Sequence, residues 1–176
     1  MLPADIQRLQ SAIRDVKDFP KEGIVFKDIT PILGDGALFR LAVDGYIEAA
    51  RAARAEKIAG IDARGFIFGA AAAYELGLGF VPVRKKGKLP YECESAAYAL
   101  EYGEAVVEMH TDAVKPGERV ILMDDLLATG GTAGAAVKLI ERIGGQVVSA
   151  VFLIELGFLS GRNSLGATPV TSLLTY

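Results

Sequence analysis

Cysteine and histidine each occur once in the 176 residues, as Cys93 and His110, and tryptophan does not occur. A lone cysteine excludes an internal disulfide and a cysteine-based zinc site, and a lone histidine weakens any catalytic scheme that needs histidine with further partners. No apolar stretch reaches the roughly 18 uninterrupted residues of a membrane span, so no membrane partner is expected. Asp5, Arg8, Arg14 and Asp15 occupy the stretch where a secretory signal needs its apolar run, and the expected location is the cytoplasm. A dominant charge is missing too. The 22 acidic residues stand against 19 basic ones, and a net charge of −3 gives no overall pull toward nucleic acid. Without repeats, low-complexity tracts or Pro/Gly/Ser linkers, the chain reads as one domain over residues 1–176.

What is present is 51% hydrophobic residues, ample for a core, arranged in alternating patterns. Ile6, Leu9, Ile13 and Val16 recur at helical spacing over Ala4–Val16, and Leu41, Ala42, Tyr46 and Ala49 do so less cleanly over Leu38–Ala53. Between them, Phe19–Leu33 mixes Pro20, Gly23 and Pro31 with apolar residues and predicts an irregular packed segment, a candidate lid. Beyond Lys57 the pattern predicts strands at Ile58–Ile61, Phe80–Val83, Arg119–Met123 and Val147–Ile154, with helices at Phe66–Leu76 and Thr132–Ile143. Short buried strands separated by helices imply an α/β fold, a central parallel sheet flanked by helices. Ala99–Tyr102 and Ala105–His110 flank Gly103-Glu104 like a hairpin, and the preceding loop, Arg84 to Tyr98, is long and opens with Arg84, Lys85, Lys86 and Lys88.

The most informative stretch runs from Val120 to Thr132, VILMDDLLATGGT. Four apolar residues predict a buried strand ending in Asp124 and Asp125, and a small glycine-bearing turn then opens a helix. In open α/β sheets ligands bind at the carboxyl ends of strands. Backbone N–H groups at the helix start, the helix dipole and the hydroxyls of Thr129 and Thr132 suit a phosphate, and Gly130 and Gly131 permit close approach. A Walker loop is excluded because no lysine follows these glycines before Lys138, and the dinucleotide fingerprint is excluded by the spacing of Gly130, Gly131 and Gly134. A terminal monophosphate fits, with Asp124 and Asp125 placed to accept hydrogen bonds from vicinal sugar hydroxyls. Taken alone, two acids and a glycine turn also serve merely to end a strand and cap a helix.

The whole pattern, from the apolar strand through Asp124, Asp125, Ala128, Thr129, Gly130, Gly131 and Thr132, resembles the phosphoribosyl-pyrophosphate signature of the type I phosphoribosyltransferases. Further segments resemble the adenine-specific branch: Phe19-Pro20, Gly23 to Ile29, Ala63 to Phe66, Arg84 to Pro90, Leu100 to Gly103, and Glu155-Leu156. The resemblance implies a type I core with an N-terminal hood over about 1–34 and a flexible β-hairpin flap over about 84–110. It implies transfer of the 5-phosphoribosyl group of 5-phosphoribosyl-1-pyrophosphate to adenine, giving AMP and pyrophosphate in purine salvage, with Mg²⁺ as cofactor and a homodimer as the assembly.

The same resemblance carries roles onto residues. Val25, Phe26, Lys27 and Leu156 would hold adenine, with backbone groups around Val25 and Lys27 reading its edge. A hood offering carbonyls to the 6-amino group would leave a 6-oxo purine with acceptor facing acceptor. Arg64, Arg84 and Lys88 would bind pyrophosphate, Arg84 reaching in from a neighbouring subunit, and the turn before Arg64 often contains a cis peptide in this family. Ala63 stands where many relatives have serine. Glu101 would manage the proton at the base and Tyr102 would close the site, while the metal would be held mainly by substrate. Two alternatives share the phosphate loop: a phosphoribosyltransferase for xanthine, hypoxanthine or guanine, and a non-catalytic regulator that senses phosphoribosyl pyrophosphate.

Overall fold

The computed structural model describes residues 1–99 and 104–176, and Cα packing divides the chain into two compact units, Met1–Gly45 and Tyr46–Tyr176. In the first unit, helix α1 (Pro3–Ala12) starts with proline, whose missing N–H costs nothing in a first turn. Strands β1 (Arg14–Lys17) and β2 (Val25–Asp28) then pair antiparallel, Val16 opposite Phe26. This hairpin corrects two expectations. Val16 belongs to β1 and not to the first helix, and the stretch expected to be irregular contains β2 and the short helix α2 (Thr30–Gly34). The cause is local pairing: Lys27 Nζ meets Asp15 Oδ1 at 2.7 Å, and Phe19 packs edge-on against Phe26 at 5.2 Å. Asp28 Oδ1 accepts the Thr30 N–H at 2.9 Å where α2 begins, and Asp35 accepts the N–H groups of Ala37 and Leu38 as helix α3 (Gly36–Ala52) begins.

The second unit takes up the chain at Tyr46, within α3. Its elements are β3 (Lys57–Ile61), α4 (Arg64–Leu76), β4 (Gly79–Lys85), β5 (Cys93–Ala99), β6 (Glu104–His110), β7 (Arg119–Leu127), α5 (Gly131–Arg142), β8 (Gln146–Glu155), two 3₁₀ turns (Gly157–Leu159 and Gly161–Leu165) and β9 (Val170–Thr175). One seven-stranded sheet has the order β5-β6-β4-β3-β7-β8-β9. The sheet is mixed. β4, β3, β7, β8 and β9 are parallel, whereas β6 lies antiparallel to both β4 and β5. A hairpin reverses direction in a few residues, so these two strands escape the crossover that parallel neighbours require.

Alternation along the strands gives the sheet two buried faces. Ala59, Ile61, Val81, Val83, Leu122 and Phe152 pack with Ala136, Leu139 and Ile140 of α5. On the other face α4 packs closely: a Cβ on Gly60 of β3 would fall 3.4 Å from the Gly65 carbonyl oxygen of α4, and one on Gly69 of α4 would fall 2.9 Å from the Phe80 ring of β4. Two strand limits differ from expectation. β5 starts at Cys93, so the long loop after Arg84 shrinks to the residues between Lys85 and Cys93, and Glu108 pins that turn by accepting the Gly87 N–H at 2.8 Å. β7 does not stop at the acid pair; it continues to Leu127 because Leu126 and Leu127 pair with Ile154 and Glu155 of β8. Among the described residues no helix is long and apolar enough to cross a membrane.

Candidate active site

Three chain segments of the second unit meet at the carboxyl ends of β3, β4 and β7. The turn between β3 and α4 supplies Asp62, Ala63 and Arg64, and the Asp62–Ala63 peptide is cis, as the sequence resemblance implies. β7 supplies Asp124 and Asp125, and α5 supplies Thr132. Together with Lys85 and Tyr98 they line a cavity of about 330 Å³. A smaller recess of about 90 Å³ adjoins it, lined by Ala128, Thr129, Gly130, Gly131 and Thr132.

The recess is built by close backbone contact. Gly130 has φ +80°, and a Cβ there would lie 2.1 Å from the Gly161 carbonyl oxygen. Reciprocally, a Cβ on Gly161 would lie 2.2 Å from the Ala128 carbonyl oxygen, so the β7–α5 turn and the second 3₁₀ turn interlock only as glycines. Ser164 Oγ donates to the Thr129 carbonyl at 2.9 Å and fixes the same turn. Gly130 occupies the N-cap of α5 without a side-chain cap, so the first amides of that helix keep their demand for an acceptor beside this recess.

The acids are held unequally. Asp125 is buried, and Arg64 donates through Nε to its Oδ2. Asp124 Oδ1 accepts the Asp125 N–H at 2.9 Å, and its backbone carbonyl accepts the Tyr46 hydroxyl at 2.7 Å. Burial, and then the negative charge of Asp125, push the Asp124 carboxyl well above the ordinary carboxylate range. Asp62 pairs with Arg84, whose Nε lies 3.0 Å from Oδ2 and whose Nη1 donates to the Lys88 carbonyl at 3.1 Å.

The structure therefore brings Arg64, Asp124, Asp125 and Thr132 around one cavity and places Ala128, Thr129, Gly130 and Gly131 next to it. Arg84 engages Asp62 of its own chain, and Lys88 follows in the turn after β4, while the lysine lining the cavity is Lys85. Val25, Phe26 and Lys27 lie in β2 of the first unit, and Leu156 directly follows β8. Glu101 and Tyr102 lie outside the described residues. Sequence reading missed Tyr46, Asp62, Lys85, Gly161 and Ser164; only Lys85, inside the basic cluster, carried a visible signal.

Cavity, acid pair and glycine recess thus meet at the carboxyl edge of a largely parallel sheet. The family model for the phosphoribosyl transferase domain matches residues 41–164, and the chain belongs to that family. The similarity extends to particular members. An adenine phosphoribosyltransferase of Neorhizobium galegae is 59% identical over 92% of this chain and 90% of its own length. The crystal structure of adenine phosphoribosyltransferase from Thermoanaerobacter pseudethanolicus superposes with a TM-score of 0.94 at 50% identity, covering 97% of this chain and 99% of that one. That of the Saccharomyces cerevisiae adenine phosphoribosyltransferase, solved with adenine and an imino-altritol bisphosphate, has a TM-score of 0.94 at 41% identity, covering 98% and 100%.

Proposed function

We infer that this chain is an adenine phosphoribosyltransferase, a pentosyltransferase of purine salvage that converts adenine and 5-phosphoribosyl-1-pyrophosphate to AMP and pyrophosphate. The observation that carries this reading is the linked array Arg64–Asp125–Asp124 on one cavity wall beside the glycine recess of the β7–α5 turn. The recess, with its helix amides and the hydroxyls of Thr129 and Thr132, takes the 5′-phosphate. The carboxylates of Asp124 and Asp125 take the ribose hydroxyls, and Arg64, with Arg84 and Lys88, takes the pyrophosphate.

When pyrophosphate leaves C1, the ribose gains positive character and the leaving group gains negative charge, so electrostatic placement dominates the chemistry. Arg64 sits where it offsets the leaving charge, and Asp124 and Asp125 hold the sugar so that C1 faces the incoming N9. Adenine is assigned to Val25, Phe26, Lys27 and Leu156, and Glu101 to the proton lost from the base, with Tyr102 beside it. Residues 1–176 act as one catalytic domain.

Magnesium suits the donor set. Asp62, Asp124 and Asp125 offer hard oxygens, but Asp62 is taken by Arg84 and Asp125 by Arg64. In this reading Mg²⁺ is held chiefly by substrate phosphate and ribose oxygens. When bound, the ion supplies further neutralisation of the pyrophosphate charge. A homodimer is part of the proposal. Ile67 and Tyr74 sit seven residues apart on α4, exposed by 38% and 88%, and the helix that carries them begins at Arg64. This face is the surface proposed to meet the second copy. The cytoplasm is the proposed location.

The test is AMP formation from adenine and 5-phosphoribosyl-1-pyrophosphate with Mg²⁺, run in competition with hypoxanthine, guanine and xanthine. AMP as the dominant product is expected. Preference for a 6-oxo purine overturns the substrate, and no nucleotide from any base overturns the activity.

A further inference from the structure

Tyr46 is completely buried, stacked nearly parallel on Phe68 at 5.1 Å, and its hydroxyl donates to the Asp124 backbone carbonyl at 2.7 Å. That carbonyl sits just past the end of the β3–β7 ladder. β3 pairs with β7 only as far as Gly60 opposite Met123, so Asp124 lies just beyond the last β3 partner. On the opposite side, β8 pairs with β7 up to Asp124 opposite Phe152 and resumes at Leu126 opposite Ile154, skipping Asp125 and Leu153. The acid pair thus lies beyond the β3 ladder, with β8 in unchanged register on its other side, and the Tyr46 phenol reaches the main chain there.

A second contact closes on Asp124 from α4. A Cβ on Gly65 would fall 2.7 Å from the Met123 carbonyl oxygen and 2.8 Å from Asp124 Oδ1, so the first turn of α4 presses directly on this carboxylate. Asp124 is confined between the α4 backbone and the tyrosine hydroxyl, and its own Oδ1 orients the Asp125 N–H. Asp125 in turn holds Arg64. The hydroxyl of Tyr46 is therefore the anchored end of a chain of contacts reaching both the ribose-facing acids and the pyrophosphate-facing arginine. A phenol serves here because its ring fills the core while its hydroxyl satisfies a buried acceptor.

We propose that Tyr46 is a positioning residue for the phosphoribosyl donor: by fixing the Asp124 main chain where the β3–β7 ladder ends, it sets the acid pair for the ribose diol. Tyr46 touches no substrate. The proposal rests on the assignment of Asp124 and Asp125 to the ribose. It differs from a purely structural role in one respect: removing the hydroxyl impairs recognition of one substrate and spares the other.

The experiment is steady-state kinetics on the full chain, with KM for 5-phosphoribosyl-1-pyrophosphate and for adenine measured separately. Tyr46→Phe keeps the stacked ring and removes the donor. The KM for the donor substrate is expected to rise about tenfold, equivalent to about 1.4 kcal/mol of binding, and that for adenine to stay within about two-fold. Unchanged KM values for both substrates, with only the active fraction lowered, overturn the proposal. Tyr46→4-aminophenylalanine retains an N–H donor on the same ring and answers the question if the phenylalanine variant does not fold. A donor-substrate KM near that of the unsubstituted protein supports positioning by the donor, and a KM raised about tenfold in the folded protein overturns it. Failure of the unsubstituted protein to form AMP is a separate result that removes the function; an active protein indifferent to Tyr46→Phe removes only the positioning role.

Discussion

Arg64 and Asp125, separated by 61 residues in sequence, are joined through the guanidinium Nε and carboxylate Oδ2 at the rim of the cavity. The carboxylate side is buried at 6% exposure, whereas the arginine side chain is 45% exposed, so the acid steers a cation that still reaches the solvent-filled cavity. Lysine has the charge but not the planar fork that holds Asp125 while presenting further donors. Arg64→Lys is expected to lower kcat/KM for the phosphoribosyl donor by about 100-fold, the loss typical of one preorganised donor to developing charge. The check is kinetics beside a circular dichroism spectrum. Full activity in the lysine variant would show that charge alone suffices.

Gly161 has no partner in any sequence motif, yet it supports the phosphate recess. A Cβ at this position would fall 2.2 Å from the Ala128 carbonyl oxygen and 3.1 Å from the Leu127 side chain. Since backbone cannot yield as a flexible side chain does, Gly161→Ala must push the β7–α5 turn away. We expect AMP to bind at least about tenfold more weakly, with a stability loss of about 1–3 kcal/mol. Titration calorimetry with AMP and thermal unfolding measure both. Unaltered AMP affinity would mean the glycine interlock is irrelevant to phosphate binding.

These two cases mark what sequence could and could not disclose. The β7–α5 turn was legible because its chemistry is contiguous: an apolar strand, two acids, two threonines and two glycines follow one another within Val120–Thr132. The parallel strands β3, β4, β7 and β8 were legible for the same reason, each containing a short apolar run. Gly161 and Tyr46 act across the fold, on Ala128 and on Asp124, through packing distance and one hydrogen bond. Neither leaves a periodic trace. The hairpin of β1 and β2 escaped because its exposed, charged residues do not alternate cleanly, and β9 because Val170–Thr175 is a short edge strand with only Leu174 fully buried. β6 was legible as a hairpin strand over Ala105–His110, but its antiparallel place beside β4 became visible only through the pairing.

Asp124 should set binding against stability. Burial and the neighbouring Asp125 raise its carboxyl well above 3.8, so the folded chain holds this proton more tightly than the unfolded chain does. The stabilisation is complete below about pH 3.8 and is lost as pH rises through the folded-state value. Asp124→Asn removes the titration. The ligand-free variant is expected to melt at a higher temperature than the unsubstituted protein near neutral pH and to lose that advantage toward acid. It should also raise the KM for the phosphoribosyl donor about tenfold, by loss of a charged acceptor. Equal melting temperatures across the pH range would refute the linkage.

Glu155 has the opposite sign. Arg162 donates to Oε1 at 2.7 Å through Nε and to Oε2 at 2.6 Å through Nη2, and Ser172 Oγ adds a third bond at 2.6 Å. The arginine bonds above all hold its carboxyl below 4.5, against the opposing effect of burial. Here the unfolded chain binds the proton more tightly, so the stabilisation is present above about pH 4.5 and disappears as pH falls through the folded-state value. Glu155→Gln is expected to cost about 1.5 kcal/mol at neutral pH, a modest figure because Arg162 is half exposed. Denaturant titrations at several pH values should show the two proteins converging in acid; a constant difference would assign the effect to packing.

The α4 face offers the test of assembly. Ile67 and Tyr74 share one side of the helix because seven residues make almost two turns, and Ile67 is 38% and Tyr74 88% exposed. Large apolar groups grouped on one face favour burial against a partner, and a charge introduced among them must be desolvated without compensation. Tyr74→Glu is therefore expected to shift a dimer to monomer in sedimentation equilibrium at micromolar concentration, with unfolding of the monomer otherwise little changed because Tyr74 is 88% exposed. Activity should fall with dissociation if the second copy contributes to the pyrophosphate end of the cavity. A monomeric variant with full turnover would separate assembly from catalysis, and an unsubstituted protein that sediments as a monomer would remove the dimer altogether.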